Sequence, residues 1–265
     1  MIKCRSQRSK VKSQKFKKLV TRHSLLVTVF LLFTVHCSLF TYADAASPVT
    51  KKFVYYVFWS GIRAGTAVLY YESAPEGVII KTHATSAALI SLFYKVDDFA
   101  QSAINQDGYP KSFILKVSEG FHKRDKATYF EEISGAKPHK IIYHNIRDDE
   151  KVEFYFDKPA YDPLSAFHAI TKRDLKVGRS EYIDIFDSEK LYNTEVQVLK
   201  KEKIRVLAGE FDTILVKPLL KSEGIFRKTG DMFIWATDDE NKLPVLMKSK
   251  AAIGTFTVEL VEGDF

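Results

Sequence analysis

Ser165 and His168 stand three residues apart in Asp162-Pro163-Leu164-Ser165-Ala166-Phe167-His168, the nearest the chain comes to setting a nucleophile beside a base. A serine hydrolase needs its nucleophile on a strained, exposed elbow, and no Gly-x-Ser-x-Gly occurs. On a regular helix the Ser165 hydroxyl lacks that exposure, so no catalytic residue is assigned and His168 reads as a helix-surface side chain. Five histidines follow residue 45: His83, His122, His139, His144 and His168. None forms the close helical pair of His-Glu-x-x-His, and no metal site or cofactor is assigned. The acidic runs Asp97-Asp98, Asp148-Asp149 and Asp238-Asp239-Glu240 could offer oxygen ligands to calcium or paired carboxylates for glycoside hydrolysis. The last two fall in turn sequences, where acids cap the local backbone, and solvated or salt-bridged turns are the expected reading. Lys200-Lys201-Glu202-Lys203-Ile204-Arg205 reads as a wet strand face or hairpin end, with binding to an anionic surface as the alternative.

The charge is unevenly spread. Of 40 Lys and Arg, nine lie in residues 1–45 beside a single acid, Asp44, which leaves 31 cations against 32 acids in the remainder. A nucleic-acid binder would carry its basic footprint on the folded part, so no nucleic-acid partner is expected. Cys4 and Cys37 both precede residue 46, and a chain cut there has no disulfide or thiolate. The apolar run Ser24–Phe40 after the cationic stretch has the length of a signal-peptide core, and Ala43-Asp44-Ala45, followed by Ala46, has the small-x-small form of a cleavage region. We therefore expect a secretory leader over 1–45 and a periplasmic or cell-envelope location. An uncleaved inner-membrane anchor is the alternative, and membrane contact is expected only through it.

These residues need a scaffold. Residues 46–52 read as a tether and 53–265 as one β-rich domain, large enough to bury roughly 70% of its unfolded surface. Short runs rich in Val, Ile, Thr, Tyr and Phe are punctuated by Gly, Pro, Asp and Asn, which predicts fourteen strands between Phe53 and Val261. In Asn193–Leu199, Thr194, Val196 and Val198 share one face while Glu195 and Gln197 take the other, the mark of a sheet with one buried face. The short connections call for antiparallel pairing. Asp162 as N-cap, Pro163 at the first turn and Lys172-Arg173 at the end predict one helix, with Leu164, Phe167 and Ile170 as its apolar stripe. Ser86–Tyr94 is either a short helix or more strand. The fold class is all-β and mainly antiparallel: a large curved sheet or incomplete β-barrel with one packed α-helix, behind a signal-peptide helix.

Twenty Phe, thirteen Tyr and two Trp make the chain aromatic-rich. A curved sheet must fill its concave face with such side chains or enclose a ligand with them. Trp59, Phe93, Tyr94, Phe226 and Trp235 are the expected lining.

Several motifs together resemble an exported bacterial family, domain-of-unknown-function family 3108. They are Gly61-Ile-Arg-Ala-Gly65-Thr-Ala, Ser91–Asp98, Asp162–Ala166, Ala208–Thr213, Ser222–Arg227, Trp235–Asp239 and Leu243–Lys250. The resemblance spans nearly all of 53–262 and implies an envelope location and a single β-rich domain, with no assigned activity. The strand-helix-strand order is also similar to the open half-barrels of periplasmic lipoprotein and lipid carriers, a likeness of fold alone. The expected function is binding of a hydrophobic or amphipathic envelope component, a lipid or lipidated molecule, in the concave face. The alternatives are a non-catalytic scaffold that binds another envelope protein and, third, an enzyme acting on envelope polymers.

Overall fold

Alternation of side-chain character becomes alternation of burial: Thr194, Val196 and Val198 are buried while Glu195 and Gln197 on the same strand are only partly so. The computed structural model describes residues 49–131, 139–219, 231–251 and 254–265. The leader, including Ala43, Ala45 and Ala46, lies outside the described residues, as does Phe226. The first eight strands are β1 (Thr50–Trp59), β2 (Ile62–Ala74), β3 (Gly77–Ser86), β4 (Asp97–Asn105), β5 (Pro110–Glu119), β6 (His122–Glu131), β7 (His139–Asn145) and β8 (Glu150–Phe156). A four-residue helix, α1 (Ala88–Ser91), interrupts the β3–β4 connection. After α2 (Pro163–Thr171) come β9 (Ser180–Asp187), β10 (Lys190–Val206), β11 (Gly209–Pro218), β12 (Met232–Thr237), β13 (Pro244–Ala251) and β14 (Gly254–Gly263).

The fourteen strands form one antiparallel sheet in the order β8-β7-β6-β5-β4-β3-β2-β1-β14-β13-β12-β11-β10-β9. Chain neighbours pair except β8 and β9, which form the two edges, and β1 pairs with β14 from the other end of the chain, Tyr55 opposite Leu260. The sheet is not closed. β9 is bordered instead by the incoming chain: Tyr161 N–H donates to the Asp184 carbonyl at 2.9 Å and Phe186 N–H to the Tyr161 carbonyl at 2.8 Å. β8 approaches β9 through side chains, with the Phe154 and Phe186 rings 5.1 Å apart.

Each expected strand is present, and the corrections are local. The sheet starts at Thr50, so 50–52 belong to β1 and not to a tether. β3 runs to Ser86, which leaves α1 a single turn. A bulge between Val198 and Lys200 shifts the register of the 17-residue β10. Beyond it the cationic run is exposed and ion-paired, as with Lys201 and Asp238 at 2.7 Å.

α2 packs into the concave side. Ala166 and Ile170 join Ile183, Val196, Val198, Ile214, Val216 and Ile234 in one core cluster. A second cluster, around Phe53, Tyr55, Leu69, Ile80, Val245 and Leu260, lies where β1 meets β14. Antiparallel alternation sends the β1–β2, β3–β4 and β5–β6 connections to one end, the tip. The β2–β3, β4–β5, β10–β11 and β12–β13 connections gather at the other, the mouth, with the start of β1 and the end of β14.

Candidate functional site

The site depends on one buried acid. Asp162 caps α2, and its Oδ1 accepts from the Leu164 and Ser165 N–H groups at 2.9 and 3.0 Å. Its Oδ2 accepts from the Ser102 hydroxyl of β4 and the Ser165 hydroxyl, both at 2.7 Å. All three residues are fully buried. Burial drives the Asp162 carboxyl above the usual range, and these four bonds pull the other way. Cap and tertiary anchor are thus one group: it starts the helix and ties that start to β4. The following turns then carry His168, Thr171 and Lys172 to the mouth.

There a cavity of about 500 Å³ opens. Alternating residues of β1 and β2 build its floor: Phe53 packs edge-on against Tyr71, ring centres 6.3 Å apart, and against Phe265 at 6.2 Å. Phe211, at the start of β11, packs against Phe265 at 5.6 Å. Val78 and Leu243 complete the apolar part. Around it stand Lys51, Glu72, Lys172, Asp239 and Asp264. The acids are engaged: Glu72 with Lys81 at 2.7 Å, Asp239 with Thr237 and the Asn241 N–H, Asp264 with the Lys52 N–H at 2.8 Å.

His168 lies against Tyr71, ring centres 6.4 Å apart. Burial, and after it the charge of Lys172, pushes its imidazole down to about 4, so at neutral pH it is uncharged. Burial likewise pushes the Tyr71 phenol up to about 12. The sequence expectation of a helix-surface His168 is corrected here: β2 brings Tyr71 over the helix and covers it. Two neutral, hydrogen-bonding rings over an apolar floor can orient a polar group without supplying charge, which stays with the lysines at the rim.

Two further cavities flank α2. One of about 240 Å³ is almost wholly apolar, between Ala166, Phe167 and Ile170 of the helix and Ile183, Val196, Val216 and Ile234 of the sheet. It falls short of the roughly 300 Å³ at which small-molecule sites begin. The other, about 450 Å³, lies toward the β4–β5 turn and shares Val78, His168 and Lys172 with the mouth.

The aromatics expected to line the concave face are scattered. Trp59 closes β1 at the tip. Phe93 and Tyr94, 85% and 49% exposed, follow α1 in the β3–β4 connection. Trp235 alternates with the buried Ile234 and Ala236, so it faces away from the helix; its Nε1–H donates to Glu202 Oε1 at 2.8 Å. None of these four lines the mouth. The residues that do, Phe53 and Tyr71 above all, carried a usable signal in the alternation Phe53-x-Tyr55 and Leu69-x-Tyr71.

The acidic runs are held within turns and strand starts. Asp97 accepts from His83 Nε2 at 2.8 Å, Asp98 from the Ser118 N–H at 2.8 Å, and Asp149 from His144 Nε2 at 2.9 Å. Among the described residues no three His, Cys, Asp or Glu side chains group as a metal site would need.

Residues 54–261 match the model of a family described as protein of unknown function, DUF3108. No curated protein matches the chain. Among solved structures it is similar to a beta-barrel-like protein of domain of unknown function DUF1849 from Brucella abortus, with a TM-score of 0.55 at 13% identity. The likeness covers 82% of this chain and 98% of that one, and at such identity it concerns the fold alone.

Proposed function

The chain belongs to the DUF3108 family, and from that premise we propose that it is an exported envelope protein that binds an amphipathic molecule, a lipid or lipidated component, at the mouth. The observation that carries the reading is the cavity of about 500 Å³ itself: an aromatic floor under a charged rim, open at one end of the sheet. A ligand with an apolar chain and a polar head matches that gradient. Each 100 Å² of apolar surface it buries is worth about 2.5 kcal/mol, before the cost of association is subtracted. Because α2 already occupies much of the concave face, the ligand is assigned to the mouth and not to the centre of the sheet. Export rests on the cationic, apolar, small-x-small order of residues 1–46.

The test is extraction of the protein purified from its native envelope, with mass spectrometry of whatever it carries. The expected result is a bound amphiphile in the wild type that is much reduced in Val78→Trp, whose indole intrudes into the cavity. A wild type that carries nothing, and whose melting temperature no added amphiphile shifts, would sink the reading. Export is checked separately, by fractionation and by the mass of the mature N-terminus.

A further inference from the structure

At the tip, large apolar side chains face solvent together. Leu92 is 77%, Phe93 85% and Phe121 106% exposed, with Ile62 and Leu89 also exposed beside them. They are held in place by the backbone. Ala87 N–H donates to the Ala64 carbonyl at 2.7 Å and Gly120 N–H to the Lys95 carbonyl at 2.8 Å, which ties the β3–β4 connection to β2 on one side and to the β5–β6 turn on the other. The Tyr94 ring lies over Gly120 so closely that a Cβ there would sit 3.0 Å from its Cε2. Three connections therefore share one apolar surface, of the kind that marks an interaction site.

Shape and charge select the occupant. These side chains project from turns and line none of the cavities at the mouth or beside α2, and a side chain without a pocket around it is buried best by a phase that flows around it. Arg63, Lys95, Lys123 and Arg147 lie on or next to the tip connections. Arg63 stacks on Tyr56, Lys123 donates to the Ser118 hydroxyl and Arg147 to the Lys123 carbonyl, but among the described residues none has a carboxylate at salt-bridge distance, whereas Lys81, Lys111, Lys140 and Lys217 elsewhere each do. The acids of these connections are engaged locally: Asp97 accepts from His83, Asp98 from the Ser118 N–H, Asp148 from Asn145 and Asp149 from His144, while burial, and after it the charge of Asp98, raises the Glu119 carboxyl above its usual range.

We propose that the tip is a membrane-docking face: Leu92, Phe93 and Phe121 enter the acyl boundary of an anionic phospholipid surface, and Arg63, Lys95, Lys123 and Arg147 meet its head groups. This contact is independent of the leader and of any ligand at the mouth.

The leader can bind vesicles by itself, so the test reads position as well as attachment. Full-length Phe121→Trp is mixed with phosphatidylglycerol–phosphatidylcholine vesicles whose acyl chains are brominated. The expected result is a blue-shifted emission and bromolipid quenching several-fold stronger than in the wild type, both weakened by phosphatidylcholine-only vesicles or high salt. Adding Leu92→Asp and Phe93→Asp to Phe121→Trp should abolish the quenching, lowering partition of that indole by about tenfold or more, at an unchanged melting temperature. Quenching no greater than wild type while the protein still sediments with vesicles would assign attachment to the leader and overturn the proposal. A concentration-dependent dimer in lipid-free buffer, dispersed by the two aspartates, would overturn it in favour of a second copy of the chain.

Discussion

The mouth and the tip are built from the same residue types and put them in opposite environments. At the mouth Phe53 is 4% exposed, and the acids of the rim are each held by a cation, a hydroxyl or a backbone N–H. At the tip Phe121 lies wholly in solvent and four cations lack a carboxylate partner among the described residues. The contrast teaches that aromatic content does not locate a site. Location follows from where the connections end. At the mouth α2, the β12–β13 loop and the chain end fold over the strand ends, while at the tip the turns simply project.

The sharpest way to break this contrast is to truncate one phenylalanine at each end. Phe53→Ala should cost about 3–5 kcal/mol of stability through transfer and cavity terms, and Phe121→Ala should stay within about 0.5 kcal/mol; urea denaturation measures both. Equal losses would mean that the tip is packed like the mouth.

Next in size is Asp162→Ala, expected to cost about 3 kcal/mol, because it removes the helix cap and leaves the Ser102 hydroxyl and two backbone N–H groups buried without an acceptor. The accompanying loss should be of ligand at the mouth, with vesicle docking by the tip retained in the fraction still folded. Asp97→Ala, at an exposed pair near the tip, should cost under about 1 kcal/mol.

A third test uses pH. His168 is pushed down to about 4 in the folded protein from an ordinary 6.5. Between these values the unfolded chain binds the extra proton, so stability is full above pH 6.5 and is lost as pH falls toward 4. The loss should be about 1–3 kcal/mol, reduced by the ring's partial exposure. His168→Gln should flatten that slope in denaturation curves taken across the window, and an unchanged slope would remove His168 from the buried wall of the mouth.

A modest effect is expected at Gly120, whose φ of +55° and contact with the Tyr94 ring disfavour any side chain. Gly120→Ala should cost about 1 kcal/mol. It should also disturb vesicle docking without changing ligand retention at the mouth, a direct check that the two ends act separately.

The sheet was legible because period-two alternation is a local property, visible in Thr194, Val196 and Val198 without any partner strand. The helix was legible for the same reason: Asp162 and Pro163 act on the turn that follows them. The site was much less so. Phe93-Tyr94 reads as material for a cavity wall, yet β3 ends at Ser86 and the run crosses the tip instead. Nothing near His168 in sequence shows that Tyr71, almost a hundred residues earlier, will cover it. Trp235 points away from α2 because Ile234 and Ala236 take the inner positions, a parity that depends on which face of β12 meets the helix.

The order of residue types along the chain was enough to set fourteen strands, one well-capped helix and antiparallel pairing, since each follows from interactions over a few residues. Which ends of those strands would be roofed, which aromatics would be buried, and that a neutral histidine would face a cavity were decided by the meeting of β1 with β14 and by the anchoring of α2 to β4. Those contacts join residues far apart in sequence, and the burial they create exists only once the whole sheet has curved around the helix.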